Sequence, residues 1–159
     1  MLKLNKLADY ATVVLTALAT APDRVLNGQA LSSLTQIPAP TVAKVLKALT
    51  RGGLVASTRG LHGGYQLARA PNTITVADVV QALEGPIALT DCATHGSGCE
   101  IADGCRSRKA FRLIDSAVRQ ALASVTLADI LRAETAATDI PLRFHPSITT
   151  PAARPQASS

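Results

Sequence analysis

The sequence predicts a mainly α-helical chain: a winged helix-turn-helix head with a two-stranded wing, followed by a long dimerisation helix. Three observations carry this expectation. Over residues 27–51, a short helical pattern, a proline-stiffened turn and a helix with one apolar and one basic face follow one another. A glycine-rich hairpin pattern comes next, over residues 54–67. Positive charge gathers in the same stretch: residues 1–70 carry eight Lys/Arg against two acids, whereas residues 71–134 carry six against eight. A basic head on a mildly acidic body suits a polyanionic partner, and double-stranded DNA is the one the helix-turn-helix pattern favours.

The elements read in order as follows. Leu4, Leu7, Ala11, Val14, Leu15 and Leu18 recur at helical spacing, so residues 4–20 form a first helix that Pro22 stops. Asn27 caps a short helix through Leu31 and Leu34. Ile37, Pro38, Ala39 and Pro40 make a stiff turn, and Pro40 suits a helix start because its missing N–H costs nothing there. The next helix, residues 40–51, buries Val42, Val45, Leu46 and Leu49 and turns Thr41, Lys44, Lys47 and Arg51 outward. In a helix-turn-helix this second helix enters the major groove, with its early residues toward base edges. Gly52 and Gly53 end it. Strands at 54–57 and 65–67 flank a loop, Thr58 to Gly64, whose three glycines permit positive φ. Arg59, Gly60 and His62 lie on this wing, and Arg59 is placed to enter a minor groove or meet phosphate.

Beyond Pro71, Thr73 or Thr75 caps a helix through Val76, Val79, Val80 and Leu83, closed by Gly85 and Pro86. Residues 86–108 are loop-like. Residues 109–124 regain helical period with Phe111, Ile114, Ala117, Val118, Ala121 and Leu122. So long an apolar stripe, with few elements left to cover it, calls for a second copy of the chain. Thr126 to Asp129 resembles a capping box with Asp in place of Glu/Gln, opening a last helix to about Ala133. From Thr135 the Pro, Thr, Ser and Ala content predicts a disordered tail. The expected organisation is a DNA-binding domain at 1–71, a linking helix and cysteine loop at 72–108, a dimerisation helix with a short final helix at 109–134, and a tail at 135–159.

Several classes are disfavoured. No apolar run approaches the length of a membrane span, and the N-terminus lacks a signal-peptide pattern, so a cytoplasmic protein without membrane contact is expected. There is no phosphate-binding glycine loop, and His62, His95 and His145 join no nucleophile–His–acid set, so an enzyme is not expected.

The three Cys fall at Cys92, Cys99 and Cys105, spaced C-x6-C-x5-C. Structural zinc sites use C-x2-4-C pairs, and none is present. Thiolates spread through a glycine-rich loop suit an iron–sulfur cluster, which Cys thiolates hold. Zinc, and a thiol sensor without a cofactor, stay open as alternatives. Three Cys leave one ligand to find.

The chain resembles the IscR/NsrR family of bacterial winged-helix regulators from Met1 to about Ala133. The resemblance rests on Leu7-Ala8-Asp9-Tyr10-Ala11, on Arg51-Gly52-Gly53-Leu54-Val55, and on the wing from Arg59 and Gly60 through Gly63-Gly64-Tyr65 to Leu67. Val76-Ala77-Asp78-Val79-Val80, Leu83-Glu84-Gly85, the three Cys and Thr126-Leu127-Ala128-Asp129 add to it. The opening residues and Glu84 to Thr90 are most similar to the branch that regulates the Suf iron–sulfur assembly system. The resemblance implies a homodimeric transcription regulator, expected to repress, on a pseudo-palindromic operator. It implies an iron–sulfur cluster in the cysteine loop, [2Fe-2S] ahead of [4Fe-4S], that senses iron–sulfur status, oxidants or nitric oxide. Arg59 matches the family's minor-groove arginine. Where the Isc regulator has a ligating His, this chain has Arg108, which cannot ligate. Asp9 matches an aspartate that the nitric-oxide-sensing branch supplies from the partner's first helix, and is the expected fourth ligand. His95, Glu100 and Asp103 are local alternatives. Ala43 stands where the Isc regulator has a Glu that discriminates operators by cluster state. A cluster-free thiol or zinc sensor, and an assembly factor that does not bind DNA, are the rival functions.

Overall fold

The computed structural model describes residues 5–86 and 108–135. The expectations for residues 1–4, for the cysteine segment 87–107 (with Cys92, His95, Cys99, Glu100, Asp103 and Cys105), and for the tail from residue 136, with His145, lie outside the described residues.

Asn5 starts the first helix, α1 (Lys6–Ala19), by accepting a hydrogen bond from the Leu7 N–H through its side chain. The apolar period buries Ala11, Val14, Leu15 and Leu18. Asn27 caps α2 (Gly28–Thr35), accepting from the Ala30 N–H at 2.8 Å. Leu31 is buried, but Leu34 is 64% exposed because it lies past the seam that α2 presents to α1 and α3. Gln36 turns the chain in the left-handed region at φ 59°, where its side-chain amide donates to the Ser33 carbonyl. The recognition helix α3 (Ala39–Arg51) starts one residue earlier than the sequence suggested, with Pro38 as N-cap and Pro40 inside the first turn. Its Val42, Val45, Leu46 and Leu49 are all fully buried.

The wing is the antiparallel pair β1 (Val55–Thr58) and β2 (Gly64–Leu67), in the register Val55–Leu67 to Thr58–Gly64. A third segment docks on it. Leu26 exchanges both backbone hydrogen bonds with Tyr65, at 3.0 and 2.8 Å. Of the three wing-loop glycines, Gly60 takes the positive φ that the loop was expected to permit, at 120°. Gly63 and Gly64 are needed for close approach instead; a Cβ on Gly64 would lie 2.7 Å from the Leu26 carbonyl oxygen.

After a 3-10 turn at Pro71–Thr73, a full capping box on Thr75 and Asp78 starts α4 (Val76–Glu84). Of the two threonines considered, Thr75 is the cap. Helix α5 (Arg108–Ala123) and helix α6 (Leu127–Thr135) complete the described fold of six helices and one two-stranded sheet. Thr126 and Asp129 form the second capping box that the sequence indicated, with Asp129 accepting from the Thr126 N–H and hydroxyl at 2.9 and 2.6 Å. These bonds, the side-chain one foremost, hold the Asp129 carboxyl below its ordinary pKa. Asp129 also pairs with Arg132.

Helix α6 returns to the head. A bridge joins Thr75 to Thr126, and the Leu127 N–H donates to the Ile74 carbonyl at 2.8 Å. Leu127 is 2% exposed and shares the core with Ile74, Leu15 and Val79. Truncating it leaves a cavity against these buried side chains. Leu127→Ala is expected to lower stability by about 2–5 kcal/mol, read as a shifted midpoint in urea denaturation.

Candidate nucleic-acid interface and sensor segment

Burying one face of α3 turns its other face to solvent. Pro40, Ala43, Lys44, Lys47 and Arg51 are exposed along one stripe, and Thr41 lies half-buried at its edge. Among the described residues, Lys44, Lys47 and Arg59 form no ion pair. Their charges are therefore available to an anion. Arg51 differs. It ends α3 and lines an open cleft of about 570 Å³ with Asp78, Gln81 and Glu84, so acidic groups share its surroundings. Arg59, Gly60 and His62 are all exposed on the wing loop. The geometry thus places Thr41, Lys44 and Lys47 on the outer side of the recognition helix, and Arg59, Gly60 and His62 on the wing loop.

Two contacts tie α4, the last described helix before the cysteine segment in the chain, to the head. A Cβ on Gly52 would meet the Ala82 Cβ at 2.6 Å, so the end of α3 packs directly against α4. Glu84, the last residue of α4, accepts from the Asn5 N–H at 3.1 Å and holds the start of α1 beside the point where the cysteine segment leaves. Asp9 is one turn into that same helix and exposed, and its carboxylate has no hydrogen-bond or ion-pair partner among the described residues. Three cysteine thiolates and one carboxylate are, by the chemistry of the donor set, compatible with an iron–sulfur cluster. No group of three metal-ligating side chains occurs among the described residues, and all three Cys lie outside them.

Helix α5 carries the remaining surface of note. Phe111, Leu113 and Ile114 are 40%, 72% and 49% exposed. Asp115 is its one buried residue among those whose side chains are described, and accepts from Arg119 at 2.8 Å. No described helix is long and apolar enough to cross a membrane.

Sequence reasoning missed Pro40 and Ala43 as part of the outer stripe, because it scored that face by charge; their spacing from Lys44 and Lys47 was the available signal. It also missed Leu26 and the Asn5–Glu84 contact, which join residues far apart in the chain and leave no local pattern.

A recognition helix, a cationic outer face and a hairpin wing in this arrangement define a winged-helix DNA-binding regulator. The chain belongs to the Rrf2 family, described as iron-dependent transcriptional regulators, whose family model matches residues 4–133. It is 33% identical over 130 residues to the HTH-type regulator-named protein slr0846 of Synechocystis, covering 81% of this chain and 87% of that one. It is 32% identical to protein aau3 of Rhizobium meliloti, over 83% of this chain and 86% of the relative. Among solved structures it is similar to CymR, the global cysteine regulator of B. subtilis, with 28% identity and a TM-score of 0.64 over 83% of this chain and 98% of that one. T. potens IscR matches with 25% identity and a TM-score of 0.63 over 84% and 88%. The family consists of transcription regulators, not enzymes.

The docking of the wing on Leu26 depends on Gly64. Gly64→Ala is expected to cost about 1–3 kcal/mol. Amide exchange at Leu26 and Tyr65 should accelerate more than at Leu46 in the core, as measured by NMR.

Proposed function

We propose that this chain is a homodimeric repressor that binds a pseudo-palindromic operator and senses iron–sulfur status or redox stress through its cysteine segment. The observation that supports this reading is the packing of α4, the helix that precedes that segment in the chain. That helix packs on the recognition helix through Gly52 and Ala82. Cys92, Cys99 and Cys105 would hold an iron–sulfur cluster, [2Fe-2S] ahead of [4Fe-4S], with Asp9 as the fourth ligand. Such a cluster supplies a redox-active, oxidant-sensitive centre when bound.

On the DNA side, Lys44 and Lys47 meet phosphates flanking the major groove while Arg59, with Gly60 and His62 beside it, reaches the minor groove. Thr41 faces base edges, and Arg51 meets phosphate at the margin of the site. The partner is a second copy of the chain. Phe111, Ile114 and the rest of the apolar side of α5 pair with the same surface of that copy, placing two recognition helices on half-sites about one helical turn apart. Iron–sulfur assembly genes, of the Suf type that the N-terminal residues suggest, are the expected targets, and the cytoplasm the expected compartment.

Two measurements test this reading. Arg59→Ala should weaken operator binding by about ten- to a hundredfold, and Lys47→Ala should reduce the slope of log K against log salt by about 1. Unchanged affinity in Arg59→Ala removes the wing from the interface. Anaerobic reconstitution should give a coloured, iron-containing protein. Cys99→Ala should lose the iron, and Asp9→Ala should change the absorption and Mössbauer spectra. A wild-type protein without iron but with bound zinc or reactive thiols points instead to the cluster-free sensor.

A further inference from the structure

The tip of the recognition helix is poor in the groups that read bases by hydrogen bonding. Ala39, Pro40 and Ala43 are exposed, and Thr41 is the first polar side chain of the helix, half-buried at the edge of the stripe. Backbone donors are scarce too. Pro40 has no N–H. The N–H groups of Thr41 and Val42 both donate to the Pro38 carbonyl, at 2.9 and 3.0 Å. Pro38, as N-cap, offers no side-chain hydrogen bond. Yet this apolar tip is continuous with exposed Lys44 and Lys47, and the wing adds exposed Arg59. Those cations draw the surface onto a polyanion and leave an apolar tip to meet the groove floor.

In the major groove the base edges present hydrogen-bond donors and acceptors, and the one apolar group that projects from them is the C5-methyl of thymine, where cytosine has only a C5–H. A donor or acceptor covered by Ala or Pro loses water and gains no partner, which is unfavourable. A methyl covered by the same side chains gains burial. We propose that Ala39, Pro40 and Ala43 are specificity-determining residues that read thymine C5-methyl groups in the operator half-site. This rests on the operator reading above and adds how the half-site is chosen.

Removing one buried methyl lowers affinity by about three- to fivefold. The test begins by selecting a binding site from random duplex DNA with the full-length protein under anaerobic conditions. Each thymine of the selected site is then replaced singly by deoxyuridine, which deletes only the methyl, and affinity is measured by fluorescence anisotropy. The expected result is a three- to fivefold loss at one or more thymines in each half-site. In Ala39→Gly or Ala43→Gly the thymine-to-uridine ratio at such a position should fall toward one. Both duplexes are titrated with the same protein preparation, so a change in folding stability cancels. A ratio of one at every thymine in the wild type, or a ratio left intact in both glycine variants, overturns the inference while the operator reading stands. Selection that enriches no sequence overturns the operator reading and this inference with it.

Discussion

Val42, Val45, Leu46 and Leu49 of α3 pack into the same core as Ala11, Val14, Leu15 and Leu18 of α1, and nearly all of their surface is removed from water. Each such side chain contributes about 1.5–3 kcal/mol on burial. Rolling α3 away from this seam would drive Lys44 or Lys47 toward the core, and an unpaired buried charge costs several kcal/mol. The rotation of the helix about its own axis is therefore locked. Every property of the outer stripe, its apolar tip and its trailing cations, follows from that lock. The helix does not have to be ordered by DNA before it can present one face.

The wing is held by a different kind of contact. Two short strands are marginal alone. Here the Leu26–Tyr65 bridge adds a third segment from the link between α1 and α2, and Ala68 extends the ladder by donating to the Leu54 carbonyl at 3.0 Å. The wing is thereby fixed to the same helices that orient α3. Arg59 and the recognition helix are thus carried on one packed frame.

The chain leaves this frame at Gly85 and rejoins it at Thr126. At the exit, Glu84 is bonded to the start of α1; at the return, Thr126 bridges Thr75 and Leu127 enters the core. The head is thus tied at both of these points, and α5 packs against α4 between them in the chain. Helix α5, with its exposed Phe111, Leu113 and Ile114, lies in the same stretch of chain as the three cysteines.

Much of this was legible locally. Residue spacing identified α1, α3 and α5, Asn27 and the Thr126–Asp129 pair identified caps, and the glycine-rich loop identified the wing, because each of these depends on residues within a turn or two of one another. The concentration of Lys and Arg in the first seventy residues pointed to the polyanion-binding side for the same reason. What local pattern did not contain was set by contacts between distant segments. Gly64 looks like a loop glycine, and only the approach of the Leu26 backbone shows that it is there for space. Gly52 looks like a helix stop, and Ala82 shows it to be a packing contact. Glu84 looks like a helix-end carboxylate, and Asn5 shows it to be a clasp. By itself the sequence determined that this chain is a winged-helix DNA-binding regulator with a cysteine segment. Only the tertiary structure decided how the segment's roots are tied to the recognition helix, because steric fit and long-range hydrogen bonds leave no periodic trace in the chain.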